Sequence, residues 1–110
     1  MKLKLKKIDV NKFVYRILNL EEWINFKKKK VFSGNYLDQR SGYIHLSSKD
    51  QLRKTIDIYF KEKKVVILKI ETKKLKKKIV WEISRGGEKF PHLYDKLNIE
   101  NVVGVDHPNV

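Results

Sequence analysis

The segment VVILKI, residues 65–70, is the clearest structural signal in the sequence, because it is a nearly continuous apolar run of strand length. Such a run is typical of a strand covered on both faces, whereas a strand with one solvated face alternates apolar and polar residues. We therefore predict that this segment is a central strand of a sheet. The lysine-rich residues 71–78 are predicted to connect it to the next strand.

Four further segments have the composition of strands, because apolar and β-branched residues dominate them. They are residues 13–18, 43–46, 79–83 and 102–106. Residues 31–40 contain Ser-Gly-Asn and are predicted to form a loop, and Ser-Arg-Gly-Gly at 84–87 ends the strand before it. Pro91 is predicted to restrain a loop after that break, because its ring fixes φ.

Two helices are predicted between these strands. The first begins after Asn19, which forms a capping-box pattern with Glu22 at the third helical position. Its apolar face consists of Leu20, Trp23 and Ile24. Ser47 or Ser48 is predicted to cap the second helix. This second helix is predicted from apolar residues with i, i+4, i+7, i+8 spacing, namely Leu52, Ile56, Tyr59 and Phe60.

Together these elements predict one α+β domain over residues 1–110, with a mainly antiparallel sheet and two principal helices. The chain contains no cysteine, which fits a reducing compartment and excludes a cysteine nucleophile. Its start, MKLKLKKIDV, lacks the apolar region of a signal peptide, and no stretch approaches the roughly 18 apolar residues of a membrane span. We therefore expect a cytoplasmic protein without a membrane partner.

The formal net charge of +13 is unevenly distributed. Residues 61–78 contribute +7, residues 2–16 contribute +5 and Lys27–Lys30 contribute +4, whereas residues 79–110 total −2. Clustered lysines favour nucleic acid by releasing phosphate counterions, but charge alone supports only non-specific association. Two interpretations stay open: a solvated basic surface, and a non-catalytic surface that binds nucleic acid.

The first segment that can carry chemistry is GYIHLSS, residues 42–48. Tyr43, His45 and Ser47 project from one face of a strand there, because side chains alternate. An imidazole and hydroxyl groups beside a helix N-terminus can hold a ribose or a phosphate. The alternative is a structural histidine that bonds a neighbouring loop.

The second segment is WEISRGGEKFPHLY, residues 81–94. Arg85 offers a planar fork for phosphate or carboxylate, His92 can transfer a proton, and Tyr94 can stack or hydrogen-bond. In the alternative, structural interpretation, Glu82 and Arg85 form a local ion pair. The core anchors of that interpretation are Trp81, Phe90 and Leu93.

Several common kinds of site are not predicted. The three histidines, His45, His92 and His107, share no close ligand spacing, so we predict no metal site. The sequence contains no P-loop, no G-x-G-x-x-G and no G-x-S-x-G motif. The usual motifs of P-loop NTPases, Rossmann domains and α/β-hydrolases are therefore missing.

The two segments resemble the bacterial family called domain of unknown function 952, whose pattern includes D-x-R-x-G-F-I-H-L-S and W-E-x-S-R-G-G-x-x-F-P-H-L-Y-G. The resemblance covers about residues 15–105. The matching positions include Trp23, Ser33, Gly34, Asp38, Arg40, Gly42, Ile44–Ser47, Gln51, Trp81, Glu82, Ser84–Gly87 and Phe90–Tyr94. The chain departs from the family at Ser41, which replaces a common Asp, and at Asp95, which replaces the usual Gly. The family has no settled activity.

A further resemblance implies a ligand. The strand I-H-L-S is similar to the histidine-bearing strand of the ADP-ribosyltransferase-like fold, particularly its RNA 2′-phosphotransferase branch, where such a histidine contacts the ribose of NAD or of an ADP-ribosylated intermediate. The resemblance implies that Arg16 and His45 face one cleft, that Arg85 or His92 adds a third contribution, and that NAD is a candidate cofactor. The catalytic glutamate of protein-modifying transferases is not matched, although Glu82 is available.

The leading hypothesis is therefore a small enzyme or binding module with a nucleotide-like ligand. In this hypothesis His45 and Tyr43 orient ribose hydroxyls, Arg85 neutralises phosphate, and His92 acts as acid or base. The other candidate ligand-binding residues are Arg16, Ser47, Glu82 and Tyr94. Two rival hypotheses are a basic protein that binds nucleic acid through Lys27–Lys30 and residues 61–78, and motifs that only lock the fold.

Overall fold

A computed structural model of the chain describes residues 12–108, so most of the basic start lies outside the described residues. The predicted central strand is present as β4 (Val65–Glu71), between β1 (Phe13–Asn19) and β8 (Val102–Asp106). Both neighbours run antiparallel to it. Its fully buried side chains are Val65, Val66, Leu68 and Ile70. The apolar run therefore marks the centre of a sheet, as predicted.

Two smaller antiparallel sheets contain the other strands. One pairs β2 (Val31–Phe32) with β7 (Leu97–Asn98). The other has the order β3–β6–β5, and its strands are Ile44–His45, Lys89–Leu93 and Ile79–Ile83. Backbone hydrogen bonds of 2.8 Å between Tyr15 and Ser47 tie β1 to the chain just after β3. The α+β class is confirmed, with the strands of the described chain divided among three antiparallel sheets.

Strand β6 corrects the prediction of a loop around Pro91, which is wrong. Proline lacks only the backbone N–H, and the Pro91 carbonyl still accepts a hydrogen bond of 3.1 Å from the Leu46 N–H. On the other side, Pro91 lies opposite Trp81 of β5. The strand continues through the proline and places His92 directly opposite His45 of β3.

Helix α1 (Leu20–Lys29) begins as predicted. The Glu22 N–H donates to Asn19 Oδ1 at 2.8 Å, and the Asn19 N–H donates to Glu22 Oε1 at 3.0 Å. The predicted apolar face is wrong in part, because Trp23 and Phe26 are buried whereas Leu20 and Ile24 are about half exposed. The two rings pack edge to face, and their larger apolar area turns that side of the helix toward the core.

Strand β2 and all but the last residue of helix α2 (Tyr36–Ser41) lie within residues 31–40, where the sequence predicted a loop, so that prediction is wrong. Local hydrogen bonds define this short helix. Asn35 and Asp38 form a capping box at its start, and Gly42 ends it in the left-handed conformation with φ of 86°. A six-residue helix is too short to show an apolar periodicity, so only its cap residues carry a sequence signal.

Helix α3 (Leu52–Tyr59) confirms the second predicted helix, and none of its residues is fully buried. Ser48, not Ser47, occupies the cap position of the 3₁₀ turn that leads into α3, and its N–H donates to Gln51 Oε1 at 2.9 Å. The 3₁₀ helices of the described chain are Lys49–Gln51, Lys76–Lys78, Arg85–Gly87 and Ile99–Asn101. Helix α3 therefore leaves part of its apolar face exposed, including Ile58 and Tyr59.

One apolar cluster joins all three sheets. It includes Leu18 of β1, Phe32 of β2, Ile44 of β3, Leu68 of β4 and Leu93 of β6. Burial of this surface is the main favourable contribution to folding. The cluster fixes β1, β3 and β6 relative to one another, and these strands carry the polar side chains described next. Within residues 12–108, we find no helix with the length and apolar character required to cross a bilayer.

Candidate functional site

The site is built around the buried carboxylate of Asp38, which is 2% exposed. Arg16 of β1 binds it with two nitrogen atoms, Nη1 to Oδ1 and Nη2 to Oδ2, each at 2.9 Å. His45 of β3 contributes its backbone N–H at 3.0 Å and its Nδ1 at 2.7 Å, both to Oδ1. The Asn35 N–H donates to Oδ2 at 2.7 Å. Asp38 therefore ties together β1, α2 and β3.

A close backbone approach places Asp38 in this position. Gly34 precedes α2 with φ of 104°, a conformation that favours glycine. A Cβ atom on Gly34 would lie 2.6 Å from the Cβ of Asp38. The glycine is thus required both for its backbone conformation and for the space that the Asp38 side chain occupies.

The charge state of Asp38 follows from these contacts. Burial alone would raise the pKa of this carboxyl group, but the hydrogen bonds from His45 and Arg16, together with the guanidinium charge, outweigh it. The pKa of Asp38 therefore lies well below its usual range, and the side chain is ionised at neutral pH. An ionised Asp38 can only accept a hydrogen bond, so His45 carries its hydrogen on Nδ1. Nε2 is then the ring nitrogen that does not face Asp38.

The His45 side chain is 40% exposed. Its Nε2 has a weak contact, 3.5 Å, with Ser41 Oγ. A histidine that a carboxylate holds at Nδ1 and that leaves Nε2 accessible has the arrangement of a general base or acid. Asp38 holds the His45 ring in this orientation, and the contact with Arg16 balances most of the negative charge of Asp38.

A second carboxylate holds His92 of β6. His92 Nδ1 lies 2.6 Å from Glu82 Oε1, and the Tyr94 hydroxyl donates to the same oxygen at 2.8 Å. The hydrogen bond from His92, followed by that from Tyr94, lowers the pKa of Glu82, and the hydrogen bond to Glu82 raises the pKa of Tyr94. Glu82 is therefore a carboxylate at neutral pH, and His92 also carries its hydrogen on Nδ1.

Tyr43 fixes the His92 ring from its face. The two rings stack with centroids 3.9 Å apart and an interplanar angle of 18°. The His92 side chain is only 3% exposed, and its Nε2 is buried without a hydrogen-bond partner among the described residues. The Nε atom of Arg16 is likewise buried and unpartnered in this part of the chain. Buried polar atoms without partners are rare in folded proteins.

Both unpartnered residues line a cleft of about 450 Å³. The charged groups in its wall are Arg16, Asp38 and Arg85, and the histidines are His45 and His92. Its apolar wall includes Leu37, Tyr59, Phe60 and Phe90. Its hydroxyl groups include those of Ser47 and Ser84. This combination of apolar wall and a few convergent polar groups is typical of a small-molecule site.

Arg85 is held in this wall by α3 and β6. Its Nη2 donates to Thr55 Oγ1 at 3.1 Å, and its guanidinium lies 4.9 Å from the centre of the Phe90 ring and 5.6 Å from that of Tyr59. The predicted ion pair between Arg85 and Glu82 is wrong, because Glu82 binds His92 and Tyr94 instead. Thr55 is the hydrogen-bond partner of the Arg85 side chain within residues 12–108, which leaves its other N–H groups available to a ligand.

The structure thus brings five of the predicted site residues into one cleft, namely Arg16, His45, Ser47, Arg85 and His92. Tyr43, Glu82 and Tyr94 do not line it. Tyr43 stacks on His92, Glu82 binds His92 Nδ1, and Tyr94 binds Glu82. Of the predicted core anchors, Phe90 and Leu93 are buried and Trp81 is half-buried against the core. The structural interpretation of residues 81–94 is therefore confirmed for its core anchors and wrong for its ion pair, and the functional interpretation stays a prediction.

Sequence reasoning missed Asp38 as a site residue. Its signals were the capping pair with Asn35 and its place in the matched D-x-R motif, but neither shows that the carboxylate reaches His45 and Arg16. Within the part of the chain that the structure describes, no group of three or more His, Asp or Glu side chains is arranged to hold a metal ion.

Comparisons with known proteins agree on a family. The family model described as "Protein of unknown function (DUF952)" matches residues 17–105. An X-ray crystal structure of protein CC0527 from Caulobacter crescentus is similar at 35% sequence identity and a TM-score of 0.81, over 86% of this chain and 84% of that one. The solution NMR structure of CC0527 gives 35% identity and a TM-score of 0.78, over 87% and 84%. No curated protein matches the chain. The chain belongs to the DUF952 family of proteins of unknown function.

Proposed function

We propose that the cleft binds a small phosphorylated, nucleotide-like ligand and that His45 acts on it as a general base or acid. One observation carries the proposal: the Nδ1 of His45 is bound to the buried carboxylate of Asp38, while the ring lies 40% exposed in the same cleft as Arg85. Such a histidine can take a proton at Nε2 while Asp38 holds the ring and stabilises the imidazolium.

The charges in the cleft favour an anion. Arg16 and Asp38 neutralise each other through two contacts of 2.9 Å. Arg85 has no acidic partner among the residues that line the cleft, so one positive charge remains when the histidines are neutral. A guanidinium with free N–H groups, fixed on aromatic rings, binds phosphate by parallel hydrogen bonds.

The apolar wall favours a planar group beside the phosphate. Tyr59 is 55% exposed and Leu37 is 60% exposed, although both line the cleft. Phe60 and Phe90 line the cleft with them. Aromatic side chains near an arginine can stack on a nucleobase, whose face is apolar.

The resemblance to the ADP-ribosyltransferase-like fold suggests NAD and ADP-ribose as ligands to test first. Glu82 gives no support to group transfer in the manner of protein-modifying transferases. Its carboxylate is engaged by His92 and Tyr94, and it does not line the cleft. We therefore propose ligand binding with acid–base chemistry at His45, and we assign Glu82 the role of positioning His92.

The test is a thermal-shift titration with AMP, ADP-ribose, NAD and inorganic phosphate at moderate salt. Arg85→Gln removes the free guanidinium, and Arg53→Gln on the exposed side of α3 is the matched control. At least one phosphorylated ligand should raise the melting temperature of the wild type and of Arg53→Gln, but not that of Arg85→Gln. Equal shifts in all three proteins, or no shift with any ligand, contradict the proposal.

A second candidate function, nucleic-acid binding, is favoured by the exposed lysines. Lys27–Lys30 at the end of α1 and Lys76–Lys78 before β5 are all exposed. Binding of a short RNA should then weaken steeply as salt increases. It should be unaffected by Arg85→Gln and reduced when Lys76–Lys78 are changed to Gln, which separates it from ligand binding in the cleft.

A further inference from the structure

We infer that Arg16 and His92, in the inner part of the cleft, bind a hydroxyl group of the ligand, so that the site distinguishes a ribose from a deoxyribose. The inference rests on the proposed function and adds to it the residues that determine sugar specificity. It starts from the two buried nitrogen atoms without partners among the described residues, Arg16 Nε and His92 Nε2.

The first nitrogen is a fixed donor. Arg16 is 6% exposed, and its Nη1 and Nη2 are used by Asp38 and the His45 carbonyl. Its Nε–H has no partner among the described residues. Because a guanidinium keeps its protons in proteins, a group that binds here must accept a hydrogen bond.

The second nitrogen is an acceptor. Glu82 is ionised and binds His92 at Nδ1, so the hydrogen of the neutral ring lies on Nδ1 and Nε2 has a free lone pair. A group that binds at Nε2 must therefore donate a hydrogen bond. A phosphate dianion has no hydrogen to donate, so it does not suit this atom.

Both residues belong to one wall of the cleft. The Arg16 guanidinium donates to the carbonyl of His45 at 3.0 Å, and His45 is the cross-strand partner of His92. A hydroxyl group both accepts and donates, so the hydroxyl groups of one ligand can supply the acceptor that Arg16 Nε needs and the donor that His92 Nε2 needs. The neighbouring 2′- and 3′-hydroxyls of a ribose fit this requirement, whereas removal of a hydroxyl leaves a buried polar atom unpaired. An unpaired buried polar atom is costly, which is how polar sites reject an analogue that lacks the group.

His92 is held in place for this role. Tyr43 stacks on its face at 3.9 Å, and Glu82 fixes Nδ1 at 2.6 Å. Both contacts orient the ring without occupying Nε2. Arg85 belongs to the same cleft and is available to a phosphate, so the two parts of a sugar phosphate have separate partners.

The experiment is an NMR titration of ¹⁵N-labelled full-length protein with ribose 5-phosphate, 2-deoxyribose 5-phosphate and inorganic phosphate. Three side-chain signals are followed: Arg16 Nε, His92 Nε2 and Arg85 Nε. Ribose 5-phosphate should move all three. The deoxy sugar should bind several-fold more weakly, and inorganic phosphate should move Arg85 alone.

The outcomes separate this inference from the proposed function. If both sugar phosphates move Arg85 equally while Arg16 and His92 stay unchanged, the inference fails and phosphate binding stands. If phosphate alone moves His92 as far as ribose 5-phosphate does, that part of the cleft takes an anion and the inference is also overturned. If none of the three compounds moves Arg85, the proposed function fails together with the inference.

A variant provides an independent check. His92→Asn keeps a polar group near the position of Nδ1 for Glu82 and removes the acceptor at Nε2. The variant should retain the response of Arg85 to phosphate and should lose the several-fold preference for ribose over deoxyribose. A preference that persists in a folded His92→Asn protein, judged by its amide spectrum, overturns the role of His92.

Discussion

His45 and His92 lie opposite each other on neighbouring antiparallel strands, with ring centroids 5.7 Å apart, and each places Nδ1 against a different carboxylate. Both rings therefore carry hydrogen on Nδ1, and Nε2 is the ring nitrogen of each that does not face a carboxylate. They differ in exposure, since the His45 side chain is 40% exposed and that of His92 only 3%. The exposed ring suits proton exchange, and the buried ring suits a fixed contact.

The Asp38→Asn change should strongly destabilise the protein. It removes the charge that balances Arg16, which is itself buried, and a buried ion pair that loses one partner costs about 3–5 kcal/mol. Urea unfolding at neutral pH measures the loss. Asp50→Asn, at an exposed position, is the control and should alter the free energy of unfolding by less than about 0.5 kcal/mol. Equal effects of the two changes would show that the Arg16–Asp38 contact adds no stability.

The stability of the wild type should fall in acid because of Asp38. The folded pKa of Asp38 is lower than the ordinary value of 3.8. Its contribution is therefore fully present above about pH 4 and is lost as the pH falls toward the folded pKa. Urea unfolding from about pH 5 to about pH 2 should show a steeper decline for the wild type than for Asp38→Asn. Parallel curves would contradict the lowered pKa.

Gly34→Ala should destabilise the fold more than Gly86→Ala. Both glycines have positive φ, 104° and 67°, so each change strains the backbone, by about 1 kcal/mol for a residue in the left-handed region. At Gly34 the new Cβ also meets the Asp38 Cβ at 2.6 Å, whereas at Gly86 it meets no atom within 4 Å. The clash should add about 1–3 kcal/mol. Thermal unfolding of both variants measures the difference, and equal losses would mean that Asp38 moves aside freely.

Tyr94 should ionise at higher pH than an ordinary tyrosine. Its hydrogen bond to the Glu82 carboxylate favours the neutral phenol and raises its pKa above 10.0. The absorbance of phenolate during alkaline titration, compared between the wild type and Tyr94→Phe, isolates this group. In Glu82→Gln the acceptor charge is absent, and the pKa of Tyr94 should return toward 10.0.

Tyr36→Phe is the control for this titration, because Tyr36 is 73% exposed and the hydroxyl that donates to Glu82 is that of Tyr94. The difference that Tyr36→Phe produces in the absorbance curve should be the same in the wild type and in the Glu82→Gln variant. If Glu82→Gln leaves the Tyr94 curve unchanged, the hydrogen bond between the two side chains is absent in solution.

Elements of the fold could be predicted from the sequence where the local sequence pattern was strong. The VVILKI run identified β4 as a central strand, and Asn19 with Glu22 located the start of α1. The pattern failed where pairing or packing outweighed local preference. Pro91 lies within β6 because its carbonyl and its neighbours still pair, and Leu20 is exposed because Trp23 and Phe26 bury more surface.

The residue types that could carry chemistry were recognisable from the sequence alone, because the histidines, Arg85 and Glu82 stand in two short and distinctive segments. Which of these side chains contact one another could be seen only in the tertiary structure. Asp38 reaches Arg16, 22 residues away in the chain, and Glu82 turns to His92 instead of Arg85. Strand periodicity predicts the face on which a side chain lies, whereas the partner of a buried charge depends on which distant strands the core packs together.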